Sequence, residues 1–406
     1  MSTGGAGYKS QQATAAYERA RETFLRFANR SDDDIAIICR NTTEAINLLA
    51  YRLDLQPTDV VLTSVVEHHA NLLPWGRVAI RRYIECGRGG TFGLDAVIAG
   101  LEQAPRPKLL AVTGASNVTG WLLSLQEIIA AAHERGVQVA VDAAQLAPHR
   151  PMPGEADFIS FSGHKMYAPF GAGVLIGPRS AFEKGDPFLA GGGAVDLVDL
   201  DEVAWTEPPE REEAGSPNVV GAVALGAAID EFLRLGWEAI IAREVGLAGR
   251  LRSALEGIEG VGLLGPDPDT PMLPVVCFTL NDLPPGLIAA RLSAEFAIGV
   301  RHGCFCAHPY LTRLLGLSGD DVERFRREVL SGDRSNIPGA VRASACLSTR
   351  PENIDRLADA LAVIADDKPA PVEYLQDANT GDYYPAAGAL AWSDSTRGLG
   401  AGCSRG

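Results

Sequence analysis

Short apolar runs punctuate the first half of the chain. Residues 35–39, 60–62, 109–113, 137–141, 158–161 and 173–176 are almost continuously apolar, the pattern of strands buried on both faces. Helical periodicity fills several of the gaps. In 44–53 the apolar positions are Ala45, Ile46, Leu48, Leu49 and Leu53. In 125–135 Ser124 and Glu127 have capping-box spacing at the start, and Gly136 can end the helix. This alternation predicts an α/β domain around a mostly parallel, doubly covered sheet. Ligands gather at the C-terminal ends of strands in such sheets. Thr42, Asn117, Asp142 and Lys165 each fall just after a strand-like run.

The pattern changes after a helix at 219–235, which reads as a bridge out of this domain. Beyond it come a helix at 239–255, a strand at 275–280, a helix at 286–295 and a strand at 299–301. Helices at 311–317, 321–330 and 352–364 follow. The expected organisation is a large domain over 8–229, a small α+β domain over 230–365, and an extended tail over 366–406. The tail is rich in Pro, Gly, Asp and Ser. No internal repeat is visible.

Composition narrows the function. The 406 residues are 46% hydrophobic and 21% charged, an ordinary globular mixture, with a net charge of −15. So acidic a chain is a poor partner for nucleic acid or an anionic membrane. It shows neither an apolar run of about eighteen residues nor a charged-then-apolar signal pattern at its start. Seven irregularly spaced cysteines do not form a disulfide framework, so a cytoplasmic location with reactive thiols is expected.

The chemistry concentrates in a few strings. Lys165 in Phe161-Ser162-Gly163-His164-Lys165 ends an apolar run, and Asp142 ends the run before it. A lysine able to form a Schiff base, beside a buried acid that keeps a pyridine nitrogen protonated, is what a pyridoxal phosphate site requires. Asn41-Thr42-Thr43-Glu44 at a helix start is a phosphate cradle or, more simply, an ordinary cap. Glu67-His68-His69 has no further ligand spacing to make a metal site, whereas an imidazole can stack on a planar cofactor. Arg301 to Pro309 holds two cysteines and two histidines, but the Cys-x-Cys geometry is crowded for zinc, and an activatable thiol is the better reading. Arg342 is a surface arginine or a carboxylate clamp.

Taken in order, these strings resemble class V aminotransferases, specifically their cysteine desulfurase-like branch. The matching stretches are Thr42 to Leu48, Glu67-His68-His69-Ala70-Asn71 with Pro74-Trp75, Ser116 to Gly120, and Asp142-Ala143-Ala144-Gln145. They continue with Ser162 to Lys165, Gly191-Gly192-Gly193, Ala214 to Asn218, Arg301 to Pro309, and Arg342-Ala343-Ser344. Together they cover roughly residues 30 to 365.

The resemblance implies a pyridoxal 5'-phosphate (PLP)-dependent transferase of fold type I, like aspartate aminotransferase. Its large domain would hold a seven-stranded, mostly parallel sheet. Lys165 would link to the cofactor and shuttle protons. Asp142 would face the pyridine nitrogen, Gln145 the phenolic oxygen, and His68 would stack on the ring. Thr42, Thr43, Ser162 and His164 would hold the phosphate, with Ser216 reaching over from a second subunit of a homodimer. Asn117 and Arg342 would hold the substrate carboxylate. Cys306 falls at the place of the nucleophile that takes sulfur from L-cysteine as a persulfide, releasing L-alanine, and a sulfur-acceptor protein would follow.

Three departures open alternatives. The family's N-terminal small-residue motif has no counterpart before Tyr8, which points to a misassigned start or an inactive truncated relative. Cys306 and Arg342 stand 36 residues apart, farther than in short-loop desulfurases. The Gly-Cys-Phe-Cys string resembles less-characterised members of the family and the molybdenum-cofactor sulfurases. Another class V reaction (an aminotransferase, lyase or epimerase on a different amino acid) is the alternative these departures raise.

Overall fold

The computed structural model describes residues 7–31, 33–366 and 369–386. They divide into two compact units. The first takes the described residues up to Gly87, with Thr91–Asn117 and Trp121–Arg243. The second takes Arg88–Gly90, Val118–Gly120 and the described residues from Glu244 onward.

The first unit is built on seven strands: β1 (Asp34–Cys39), β2 (Val60–Ser64), β3 (Ile80–Ile84), β4 (Leu109–Thr113), β5 (Gln138–Asp142), β6 (Phe158–Ser162) and β7 (Gly173–Pro178). Their order is β1-β7-β6-β5-β4-β2-β3, and β7 alone among them runs antiparallel to its neighbours β1 and β6. The expected mostly parallel α/β sheet is therefore present. Five helices accompany it: α1 (Tyr8–Phe27), α2 (Thr42–Arg52), α3 (Leu94–Glu102), α4 (Leu125–His133) and α5 (Val219–Leu235). On one face Leu48 and Leu49 of α2 join Ile37, Val61, Leu109 and Phe158 in a buried cluster. On the other, Phe24 of α1 meets Phe161 edge to face with ring centroids 6.4 Å apart. Burial of each such side chain stabilises the fold by about 1.5–3 kcal/mol, which outweighs the modest helix propensities. A short hairpin, β8 (Val195–Val198) with β9 (Val203–Trp205), stands apart from the main sheet.

The chain passes into the second unit within α6 (Trp237–Glu256). There β10 (Val261–Leu264), β11 (Val275–Leu280), β12 (Arg301–Gly303) and β13 (Ala340–Ser344) form an antiparallel sheet in the order β10-β11-β13-β12. Leu251 and Leu255 of α6 pack on it. So do Ile288 and Leu292 of α7 (Pro285–Phe296), and Leu357 and Leu361 of α10 (Pro351–Ala365). Between β12 and β13 lie α8 (His308–Leu314) and α9 (Gly319–Leu330).

Several local expectations need correction. Ser124 precedes α4 but makes no side-chain cap: its ψ of 65° is not the extended backbone that swings a hydroxyl over the first turn. The capping box lies at α9 instead, where Ser318 Oγ accepts from Asp321 N–H and Asp321 Oδ2 accepts from Ser318 N–H. At α2 the cap is Asn41, whose side chain accepts from Glu44 N–H at 3.0 Å, so both threonines stand inside the helix. The strand expected at 299–301 is shifted to Arg301–Gly303 by its register on β13. Within the stretch read as tail, β14 (Tyr374–Gln376) pairs with β15 (Tyr383–Pro385). Gln376 Nε2 donates to Ser335 O at 2.9 Å, and Arg334 N–H donates to Ala378 O at 2.8 Å. The tail expected over 387–406 lies outside the described residues.

Candidate active site

Three strand ends and one helix start converge in the first unit. Asp142 closes β5, Thr113 closes β4, Ser162 closes β6, and α2 begins at Thr42 beside them. The cavity they line encloses about 570 Å³ of space, part of it open solvent. Its wall brings together Thr42, Thr43, His68, Asn117, Asp142, Gln145, Ser162, His164 and Lys165. Nine of the twelve residues singled out in the sequence thus share one cavity.

Asp142 is buried, and Ala144 N–H donates to its Oδ1 at 2.9 Å. Burial pushes its carboxyl above the usual range, while the Lys165 ammonium and the Ala144 bond pull it back. Lys165 sits on a single 3-10 turn, Gly163–Lys165, directly after β6. A Cβ on Gly163 would stand 3.0 Å from Ala172 O, so the turn packs tightly under the lysine. Burial and the Lys165 charge both hold His164 below the ordinary imidazole value, and its ring stacks on Phe170 at 5.3 Å.

The start of α2 is rich in donors. Thr42 N–H donates to Ser162 Oγ at 2.8 Å, and the two hydroxyls lie 2.6 Å apart. A feature absent from the sequence reading fixes this corner. Gly173 opens β7 so close to Asn41 that a Cβ would fall 2.5 Å from the Asn41 Cα. No side chain fits there, and only the glycine lets the sheet touch the helix start.

His68 Nδ1 accepts from Ala70 N–H at 3.0 Å, so a neutral ring carries its proton on Nε2. Behind it Glu67 is fully buried. Ser64 Oγ donates to Glu67 Oε1 at 2.6 Å and Asn71 Nδ2 donates to Oε2 at 2.7 Å, while Trp75 Nε1 donates to Asn71 Oδ1 at 3.1 Å. Burial raises the Glu67 pKa to about 8 against these hydrogen bonds, with the nearby Asp142 charge adding to the rise. Its sequence signal is a lone acid directly after an apolar strand, beside two histidines of more evident chemistry.

The other three candidates lie elsewhere. Ser216 is exposed in the first unit and borders a different cleft, with Cys39, Glu44 and Asn218. Arg342 and Cys306 belong to the second unit. Arg342 is half-buried on β13, paired in register with Cys277 and Arg301, and its guanidinium lies 5.4 Å from the centroid of the Phe305 ring. Burial, then the neighbouring Arg301 charge, makes Arg342 less basic than usual, a strain that an anionic ligand would relieve. Phe305 as a platform for this arginine was not anticipated. Cys306 is exposed, and Phe305 and Cys306 both take left-handed backbone, with φ of 54° and 56°. Among the described residues no group of three His, Cys, Asp or Glu is placed to hold a metal ion, and no helix is long and apolar enough to cross a membrane.

Comparison with known proteins fits this geometry. A probable cysteine desulfurase of Xylella fastidiosa (strain 9a5c) is 37% identical over 311 residues, covering 74% of this chain and 73% of that protein. Another, from Halalkalibacterium halodurans, is 34% identical over 360 residues, covering 86% of this chain and 82% of that protein. The apo structure of a cysteine desulfurase from Thermococcus onnurineus NA1 superposes with a TM-score of 0.79 at 31% identity, covering 90% of this chain and 87% of that one. The family model for class V aminotransferases matches residues 4–357, and the chain belongs to that family.

Proposed function

We propose that this protein is a PLP-dependent cysteine desulfurase that takes sulfur from L-cysteine onto Cys306 and releases L-alanine. The observation that carries the reading is the cavity in which Lys165 and buried Asp142 share a wall with the donor-rich start of α2. The substrate follows from the relatives, which are named probable cysteine desulfurases.

The donor set fits PLP. A buried carboxylate whose proton affinity is raised by desolvation calls for a cationic partner, and a protonated pyridine nitrogen is one. The backbone and hydroxyls of Thr42 and Thr43, with Ser162 and His164, suit a phosphate at a helix N-terminus. Lys165 is the amine that would hold the aldehyde, Gln145 the donor for the phenolic oxygen, and His68 the ring to stack on the pyridine.

When bound, PLP withdraws electrons from the substrate Cα so that its proton can leave. The Lys165 amine takes and returns that proton. Asp142 keeps the charge opposite the ring nitrogen. Asn117 of the first unit and Arg342 of the second are the residues that would bind the substrate carboxylate, and the Arg342 guanidinium lies 5.4 Å from the centroid of the Phe305 ring. The Cys306 thiolate attacks the substrate sulfur. The carbon–sulfur bond breaks, its electron pair returns to the carbon skeleton, and the persulfide stays on Cys306.

A homodimer is part of the proposal. Ser216 is exposed, and Phe170, Leu189 and Leu200 on the same unit are exposed apolar groups suited to a partner surface. Six free cysteines among the described residues favour a reducing compartment such as the cytoplasm, where a sulfur-acceptor protein would unload Cys306. The test is to incubate cofactor-loaded protein with L-cysteine and measure alanine and persulfide. Alanine with a persulfide on Cys306 is expected. Absence of both would overturn the reading.

A further inference from the structure

The second thiol of the cysteine loop has no part in the chemistry above, yet its placement is specific. Ala307 N–H donates to Cys304 O at 2.9 Å, closing a four-residue turn. Its two central residues, Phe305 and Cys306, have φ of 54° and 56°, as in a type I′ turn, without a glycine at either position. Left-handed backbone at a non-glycine residue is strained, and such strain persists where the surroundings enforce it. Cys304 and Cys306 occupy the first and third positions of this turn. Successive Cα atoms are about 3.8 Å apart, so a bend brings residues two apart into the span of about 4.4–6.8 Å over which sulfurs can meet. Both thiols line one cleft of the second unit, of about 900 Å³ and open to solvent, together with Arg301, Arg334, His302 and His308. The two arginines offer charge to an anionic sulfur. Asp382 of the β14–β15 turn lies 3.3 Å from His302, so the hairpin braces the cleft wall. The thiols differ in access: Cys306 is exposed and Cys304 half-buried.

We propose that Cys304 is a second sulfur-carrying thiol, which receives the sulfane sulfur from Cys306 and holds it in the more sheltered position. The inference rests on Cys306 being the first acceptor. In the transfer the Cys304 thiolate attacks the outer sulfur of the Cys306 persulfide. The bond between that sulfur and Cys306 Sγ breaks, and Cys306 leaves as a thiolate. A new sulfur–sulfur bond forms on Cys304, and the persulfide proton stays with the transferred sulfur or exchanges with solvent. The step is an exchange between equivalent groups and needs no oxidant or reductant. It frees Cys306 for a second turnover before any acceptor arrives.

The experiment counts sulfur and locates it. Reduced, cofactor-loaded protein is mixed with excess L-cysteine in the absence of reductant and acceptor. The alanine burst is measured, and sulfane sulfur is mapped by alkylation and peptide mass spectrometry. The wild type is expected to give about twice the burst of Cys304→Ser, with sulfane sulfur on both cysteines, and Cys306→Ser none. Equal bursts in wild type and Cys304→Ser, with sulfur on Cys306 alone, overturn the relay and leave the desulfurase reading intact. Loss of alanine from the wild type overturns the desulfurase reading. A second arm then decides the relay without turnover. Inorganic polysulfide is added to the same reduced proteins. Sulfane sulfur on Cys304 that is lost in Cys306→Ser supports the relay. An unlabelled Cys304, or a Cys304–Cys306 disulfide with sulfide released, overturns it.

Discussion

Arg21 and Glu213, 192 residues apart in sequence, form a two-pronged buried ion pair with Nη1 to Oε1 at 2.7 Å and Nη2 to Oε2 at 3.0 Å. Ile38 N–H donates to the same carboxylate at 2.6 Å and Tyr17 Oη at 2.8 Å. The adjacent Glu212 meets Arg52 of α2 at 3.2 Å, both side chains almost wholly buried. Two consecutive acids thus fasten the segment leading to Ser216 onto the first unit.

That arrangement predicts a large single-mutant effect. Glu213→Ala strands the Arg21 charge in the interior and is expected to destabilise the protein by about 3–5 kcal/mol, measured by urea denaturation. Replacing both partners, Arg21→Met with Glu213→Leu, is expected to cost less than Glu213→Ala alone. A double variant less stable than the single one would show that the two charges are not coupled.

Gly173→Ala places a methyl group against the Asn41 backbone, 2.5 Å from its Cα. Either β7 or the start of α2 must move. Weaker retention of PLP is expected, together with a lower Tm, whereas Gly192→Ala, with open space around its Cβ position, is expected to change neither. Cofactor absorbance after dialysis is the readout, and unchanged retention in Gly173→Ala would contradict the cradle.

Glu67 makes stability depend on pH. Its folded pKa of about 8 lies above the 4.5 of the free side chain. The folded state therefore binds a proton that the unfolded state has released, and the stabilisation present below pH 4.5 is lost as pH rises towards 8. Glu67→Gln keeps the shape and cannot ionise. Its Tm is expected to fall less than that of the wild type between those limits. Parallel profiles would assign the burial of this acid no energetic consequence.

Lys165→Ala is expected to lower alanine formation by about 10²–10⁴-fold or more, since proton transfer is lost together with the covalent anchor. The variant should also lose the cofactor on dialysis while keeping wild-type far-ultraviolet dichroism. Full turnover in this variant would remove Lys165 from the chemistry.

Phe305→Leu keeps the bulk of the cysteine loop and removes the ring beneath Arg342. A cation over a ring contributes about 0.5–1 kcal/mol at partly exposed sites, so KM for L-cysteine is expected to rise by about 2–5-fold with kcat little changed. An unchanged KM would separate Phe305 from substrate binding.

Much of this was legible where burial is symmetric. β4, β5 and β6 are apolar on both faces, so their sequences announce strands, and Asp142 and Lys165 stand out as charges at their ends. β3 was not legible. It is an edge strand, Ile-Arg-Arg-Tyr-Ile, mostly exposed and without alternation. α1 was not legible because its buried face includes Arg21 and Thr23, and Arg21 finds its partner Glu213 only 192 residues along the chain. The site divided in the same way. Its reactive groups carry their own chemistry in the string, whereas Gly173 and Phe305 matter through what lies against them in space, and sequence spacing holds no record of that.

The direction of β7 also bears on how the protein is made. β1 is held in the sheet by β7, from Asp34 opposite Pro178 to Cys39 opposite Gly173. Every first-unit residue that lines the Lys165 cavity has been synthesised before Gly173 emerges from the ribosome. A nascent chain halted after Lys165 would carry the reactive lysine and still lack the strand that pins the start of α2. Retention of the cofactor is thus expected to depend on β7, the last strand of this sheet in sequence, and a chain truncated after Lys165 is expected not to hold PLP through dialysis.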